Sequence, residues 1–64
     1  MTGTIKTINA EKGYFFILGE DQKTYFGHRS ALKNCDIAEL AKGREVTFED
    51  AEGAKGPRAE DVYV

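Results

Sequence analysis

Apolar and polar positions alternate over short stretches of this chain, and glycine interrupts each stretch before it reaches the length of most helices. Thr4 to Ile8 is rich in β-branched residues and predicts a first strand. Gly13 to Leu18 predicts a second strand, apolar on both faces. Gly19 to Lys23 is a polar turn, and Thr24 to His28 predicts a third strand, so strands two and three form a hairpin with a five-residue loop. Arg44 to Glu49 alternates strictly, with Val46 and Phe48 on one face and Glu45, Thr47 and Glu49 on the other, which predicts a half-buried fourth strand. Glu52 to Pro57 carries strong turn formers. Arg58 to Val64 then closes as a fifth strand, with Ala59 and either Val62 or Tyr63 pointing inward. Pro57 at its start is tolerated because it has no N–H to give to a ladder.

The stretch between the third and fourth strands differs in kind. Ser30 to Lys33 predicts one helical turn capped by Ser30. Asp36 to Gly43 has an Asp cap, a Glu three residues later, helix formers and a terminal Gly, which predicts another short turn of helix. Five short strands with one long connection between the third and fourth predict an all-β, five-stranded antiparallel Greek-key barrel of the OB type. An SH3-like barrel has a similar strand count and stays open at this point.

Length and composition narrow the function. The 64 residues suit one domain, and only 17 large apolar side chains remain once Ala, Cys35 and Met1 are set aside. That excludes a deep cleft between two domains. The longest apolar run, Tyr14 to Leu18, is far below the roughly 20 residues of a membrane helix, and the polar start shows no signal peptide. One cysteine and one histidine allow neither an internal disulfide nor a zinc constellation, so a cytoplasmic setting with no metal or cofactor is expected. Cys35 lies in the long connection, and the sequence leaves its exposure open. No nucleophile and base are placed by a motif, so the protein is not expected to be an enzyme.

The net charge of −2 argues by itself against nucleic acid, but it is unevenly spread. Residues 1–33 hold five basic and three acidic side chains; residues 34–64 hold four basic and eight acidic. Five of the seven aromatic residues fall in the basic half. Strand periodicity puts Tyr14, Phe16 and Leu18 on one face and Phe15 and Ile17 on the other. The loop length pairs Tyr14 with His28, Phe15 with Gly27 and Phe16 with Phe26. Tyr14, Phe16, Phe26 and His28 then share a face, with Lys6 and Lys12 nearby. Such a stripe can be ordinary core, or it can be a platform on which unpaired bases stack.

Lys12-Gly13-Tyr14-Phe15-Phe16-Ile17 resembles the first ribonucleoprotein motif of the cold-shock domain family, and Tyr25-Phe26-Gly27-His28 resembles the second. Gly3 to Lys6, Asn9 to Gly13, Ser30 to Leu32, Gly43 to Glu49 and Glu52 to Pro57 are similar to that family's other segments, in order. The resemblance covers essentially the whole chain. It implies an OB-type barrel whose first three strands bind single-stranded RNA or DNA, without metal or cofactor, as a monomer and in the manner of an RNA chaperone. On this reading Tyr14, Phe16, Phe26 and His28 meet bases, and Lys6 and Lys12 meet phosphates. Arg29 stacks or meets phosphate, Lys55 and Arg58 flank the binding edge at the last turn, and Asn9 caps a turn or bonds a base.

The departures are informative. The family usually has Trp where Thr7 stands, and Phe where Ile8, Arg29 and Ile37 stand, so the platform is expected to be narrower and the binding weaker. A different outcome of the same losses is an OB scaffold reused for protein contact, with Ile8 and Ile37 in the contact. The family also has Gly where Phe15 stands and a β-branched residue where Gly27 stands. The two positions pair, so a small–large pair has become large–small with volume conserved, and Phe15 is expected in the core. The acidic residues Glu49, Asp50 and Glu52 read as a solvated hairpin end that repels a strand from the far side.

Overall fold

The structure, a computed structural model, describes residues 1–54 and 56–64. Five strands, β1 (Thr2–Asn9), β2 (Tyr14–Gly19), β3 (Thr24–His28), β4 (Glu45–Gly53) and β5 (Gly56–Tyr63), close into a barrel in the order β1-β2-β3-β5-β4. The ladders β1/β2, β2/β3, β1/β4 and β4/β5 are antiparallel, and the closing seam, Phe26 opposite Arg58, is parallel. Ile5, Phe15, Ile17, Tyr25, Val46, Phe48, Ala59 and Val62 fill the interior. The expected fold class holds, and the parallel β3/β5 seam is what closure adds to otherwise antiparallel ladders.

Two bulges set which residues face that interior. The β1/β2 register shifts between Ile5 and Thr7, and the β4/β5 register shifts between Thr47 and Glu49. An extra residue in one strand re-aims everything beyond it. On β5 the irregularity contains Asp61, whose φ is 48°. Ala59 and Val62, three apart, therefore both point inward, and Tyr63 is left 49% exposed. On β1 the bulge turns Ile8 toward Phe15, its ladder partner.

Two expectations change here. The helix expected in the long connection is two single 3₁₀ turns, Arg29–Ala31 and Ile37–Glu39. The cap of the first is His28, whose ring accepts from the Ser30 N–H, rather than Ser30 itself. In the second, Glu39 Oε1 accepts from the Asp36 N–H at 3.4 Å as a capping residue should. The turn expected over 52–57 is also shorter. β4 and β5 stay paired to Gly53 and Gly56, and Gly56 takes a φ of 118° that glycine alone adopts easily. Glu49, Asp50 and Glu52 thus lie along β4, exposed, and not at a loop.

Candidate nucleic-acid interface

The outer face of β1–β3 is built in cross-strand rows. Thr7, Phe16, Phe26 and Arg58 form one row over four strands, and Asn9, Tyr14 and His28 form the next. These rows are outward because their neighbours Phe15, Ile17 and Tyr25 are inward and buried; the pleat leaves no other choice. Hairpin register and faces are as the loop length predicts.

Three rings meet on this face. Phe16 and Phe26 have centroids 5.7 Å apart at 70°, Tyr14 and Phe16 5.8 Å at 78°, and Tyr14 and Phe26 5.9 Å at 32°. Two of these contacts are edge-on and the third is tilted, and all three rings keep part of their surface exposed. Phe26 is 38% exposed, which core packing does not account for. Beside these rings lies a depression of about 630 Å³, bounded by Phe16, Phe26 and His28 on one side and by Gly53, Ala54, Gly56, Pro57 and Arg58 on the other. The β4–β5 arm therefore forms a wall of the same face.

Polar groups flank the rings. Asn9 Nδ2 donates to Tyr14 Oη at 3.2 Å, and Asn9 Oδ1 accepts from the Lys12 N–H at 3.1 Å. Asn9 thus caps the β1–β2 turn and touches the platform at once. His28 Nδ1 lies 2.9 Å from Ser30 Oγ and accepts from the Ser30 N–H at 3.2 Å. Arg29 is bound to the same turn: its N–H donates to Gly13 O at 2.8 Å. Its stem lies across Gly13, where a Cβ would come 2.9 Å from Arg29 Cδ and where φ is +77°. Glycine at 13 is needed twice over, for the backbone angle and for the arginine above it.

Of the sequence-predicted site residues, the structure gathers Asn9, Tyr14, Phe16, Phe26, His28, Arg29 and Arg58 around one face. Lys6 is exposed at the β1 bulge and Lys12 is exposed at the β1–β2 turn. Lys55 lies outside the described residues. Thr7 stands on the face next to Phe16, so the missing ring there opens the platform at its β1 end. Ile8 and Ile37 are different: both are half-buried and pack against the core. The bulge explains Ile8, and the short second 3₁₀ turn explains Ile37, so neither supplies the open apolar patch expected for protein contact. Ser30, and the wall formed by Gly53, Ala54 and Pro57, were not singled out as site residues. A serine two residues after a histidine was the available signal for the first.

Phe15 is fully buried, and a Cβ on Gly27 would lie 2.5 Å from its Cζ. Phe15 thus fills the space that a side chain at its ladder partner 27 would need. Tyr25, inward beside Phe48 with centroids 5.1 Å apart, sends its hydroxyl to Asp21 Oδ2 at 2.6 Å. That hydrogen bond, with burial and the Asp21 charge, pushes the Tyr25 hydroxyl up to about 12, and it holds Asp21 below its ordinary value. Cys35 is half-buried, and burial, followed by the Glu39 and Asp36 charges, raises its thiol.

The sequence pattern described as the 'Cold-shock' DNA-binding domain matches residues 1–64. The chain is 45% identical over 65 aligned positions to the cold shock-like protein CspB of Escherichia coli (strain K12), covering 100% of this chain and 92% of that protein. It is 43% identical over 60 residues to cold shock protein 1 of Lactiplantibacillus plantarum, covering 94% and 91%. To the cold shock-like protein CspC of Bacillus cereus it is 42% identical over 62 residues, covering 97% and 95%.

Proposed function

We propose that this chain, which belongs to the cold-shock domain family, binds single-stranded RNA or DNA with little sequence specificity on the outer face of β1–β3. The observation that carries this reading is the three-ring cluster of Tyr14, Phe16 and Phe26, partly exposed on a sheet whose other face is already a full core. Unpaired bases stack on these rings and on His28, each gaining about 1–3 kcal/mol. Lys6, Lys12, Arg29, Lys55 and Arg58 meet phosphates and orient the strand. Because every base has a π-face, such a platform tolerates sequence. Residues 1–64 act as one unit and one monomer in the cytoplasm. The activity is equilibrium binding: holding the open strand disfavours hairpins, which is the physical content of an RNA-chaperone role.

Binding is weaker than in relatives with a full set of rings, because Thr7 offers no π-face beside Phe16. Arg29 offsets part of that loss by stacking or by meeting phosphate, at the cost of a steeper salt dependence. An NMR titration with mixed-sequence and pyrimidine-rich single-stranded oligonucleotides, at low and moderate salt, tests the reading. Shifts that map to Tyr14, Phe16, Phe26 and His28 and weaken with salt are expected. No shifts at low salt would overturn it.

A further inference from the structure

The row Asn9–Tyr14–His28 has a property that stacking does not use. Two backbone N–H groups fix its hydrogen-bonding sense. The Lys12 N–H can only donate, so the Asn9 atom facing it is Oδ1, and Nδ2 faces Tyr14. An amide NH₂ can only donate, so Tyr14 Oη accepts from it, and the phenolic hydrogen is left over. The Ser30 N–H can only donate, so His28 Nδ1 is the accepting nitrogen and the neutral ring carries its hydrogen on Nε2. Among the described residues, Nε2 has no protein partner. Tyr14 and His28 are directly opposite in the β2/β3 ladder. Side chains so placed are about 4.5–5.5 Å apart at Cβ.

From this geometry we infer that Tyr14 O–H and His28 Nε2–H form a paired donor edge on the platform, set by Asn9 and Ser30, that bonds acceptor atoms of the bound strand. The inference rests on the reading of the face as a single-strand binding site, and it adds a directional contact to what rings alone provide. Asn9 and Ser30 are positioning residues: they act through Tyr14 and His28. The acceptors are base-edge carbonyl or ring-nitrogen atoms, or phosphate oxygens.

The test is a set of anisotropy titrations at pH 8 with one short uridine-rich strand in three forms. One form is unmodified, one carries difluorotoluene bases that stack without accepting, and one carries neutral methylphosphonate linkages. The donor edge predicts that Tyr14→Phe and His28→Phe, which keep the rings, each weaken the unmodified strand by about 3- to 10-fold, a single hydrogen bond's worth. Each loss should vanish on the modified form that lacks the acceptor, which identifies base or phosphate as the source.

The positioning role is tested by Asn9→Asp. A carboxylate keeps the cap on the Lys12 N–H but accepts from Tyr14, turning the phenolic hydrogen inward. Its loss should match that of Tyr14→Phe, and the two should not add beyond the effect of the new charge. A long-range ¹H–¹⁵N spectrum of the free protein should show the hydrogen on Nε2 of His28. Ser30→Ala keeps the backbone N–H that makes Nδ1 the acceptor, so the hydrogen should stay on Nε2 in that variant too, and a hydrogen on Nδ1 in either protein would overturn the assigned donor. Wild-type affinity in both ring-preserving variants, or losses that persist equally on both modified strands, would overturn the donor edge while leaving stacking intact. A protein that binds none of the three strands would instead overturn the binding reading itself.

Discussion

Gly27 and Phe15 are ladder partners that share one volume inside the barrel. Phe15 occupies the space that a side chain at 27 would need, to the point that a bare Cβ would lie 2.5 Å from its Cζ. Valine there adds two more carbons to a filled interior. Gly27→Val should therefore cost about 1–3 kcal/mol in thermal or urea denaturation, and trimming the ring with Phe15→Ala in the same chain should return part of that loss. A neutral Gly27→Val would dissolve the pairing. The Tyr25–Asp21 hydrogen bond makes a second prediction. Tyr25 is raised to about 12, so it contributes stability that is complete below its unfolded value near 10 and is lost as pH climbs toward 12. Asp21 is lowered, so its contribution is present above its ordinary value and disappears as pH falls through the acid range. Thermal melts of wild type and Tyr25→Phe from pH 3 to 12 should converge at both extremes and separate between them. Cys35, with its thiol raised by burial and by Glu39 and Asp36, should react with iodoacetamide at neutral pH more slowly than a free cysteine does.

At the scale of elements, β5 carries the point. Its irregular step at Asp61, with φ of 48°, lets Ala59 and Val62 share the interior although they are three residues apart. A branched side chain resists that backbone angle, and asparagine tolerates it. Asp61→Val should therefore destabilise by about 1–2 kcal/mol. Asp61→Asn should be near neutral, because the exposed Lys33–Asp61 pair at 3.4 Å contributes at most about 1 kcal/mol. Chemical denaturation of the two variants checks both. The same step marks the limit of what the sequence discloses. Strand periodicity and a five-residue loop are local, and they predict the β2/β3 register and the faces of Tyr14, Phe16, Phe26 and His28. A bulge is not local. It depends on which partner strand runs alongside, so the choice of Val62 over Tyr63, and the inward turn of Ile8, could not be read from alternation. The connection after β3 fails differently. Asp36 and Glu39 carry good capping chemistry, but the path from β3 to β4 leaves room only for single 3₁₀ turns. Nor could sequence show that Gly53, Ala54 and Pro57 wall the aromatic face, since that wall exists only once β5 lies beside β3.

For the whole molecule, the relevant charge is the one near the face. The exposed outer residues of β4 and β5 include Glu49, Asp50, Glu52 and Glu60, whereas Lys6, Lys12, Arg29 and Arg58 lie on or at the margins of the ringed side. On the proposed reading, this separation of charge turns an approaching strand toward the rings. Each phosphate contact lowers log K by about 0.7 per decade of salt for single strands, so Arg29→Gln should flatten the salt dependence by about that amount if Arg29 meets phosphate. The central claim, however, is that exposed rings hold unpaired bases. It is tested most directly by fluorescence anisotropy of a labelled mixed-sequence single strand against wild type and Phe26→Ala. Phe26 lies on the outer face, away from the buried core, so its removal should leave a cooperative melting transition, lowered only by the lost ring contacts with Tyr14 and Phe16. The account predicts saturable binding by wild type and affinity about 5- to 150-fold weaker for Phe26→Ala, the equivalent of one lost stack. Equal affinity of the two proteins, with the fold of both intact, would contradict it.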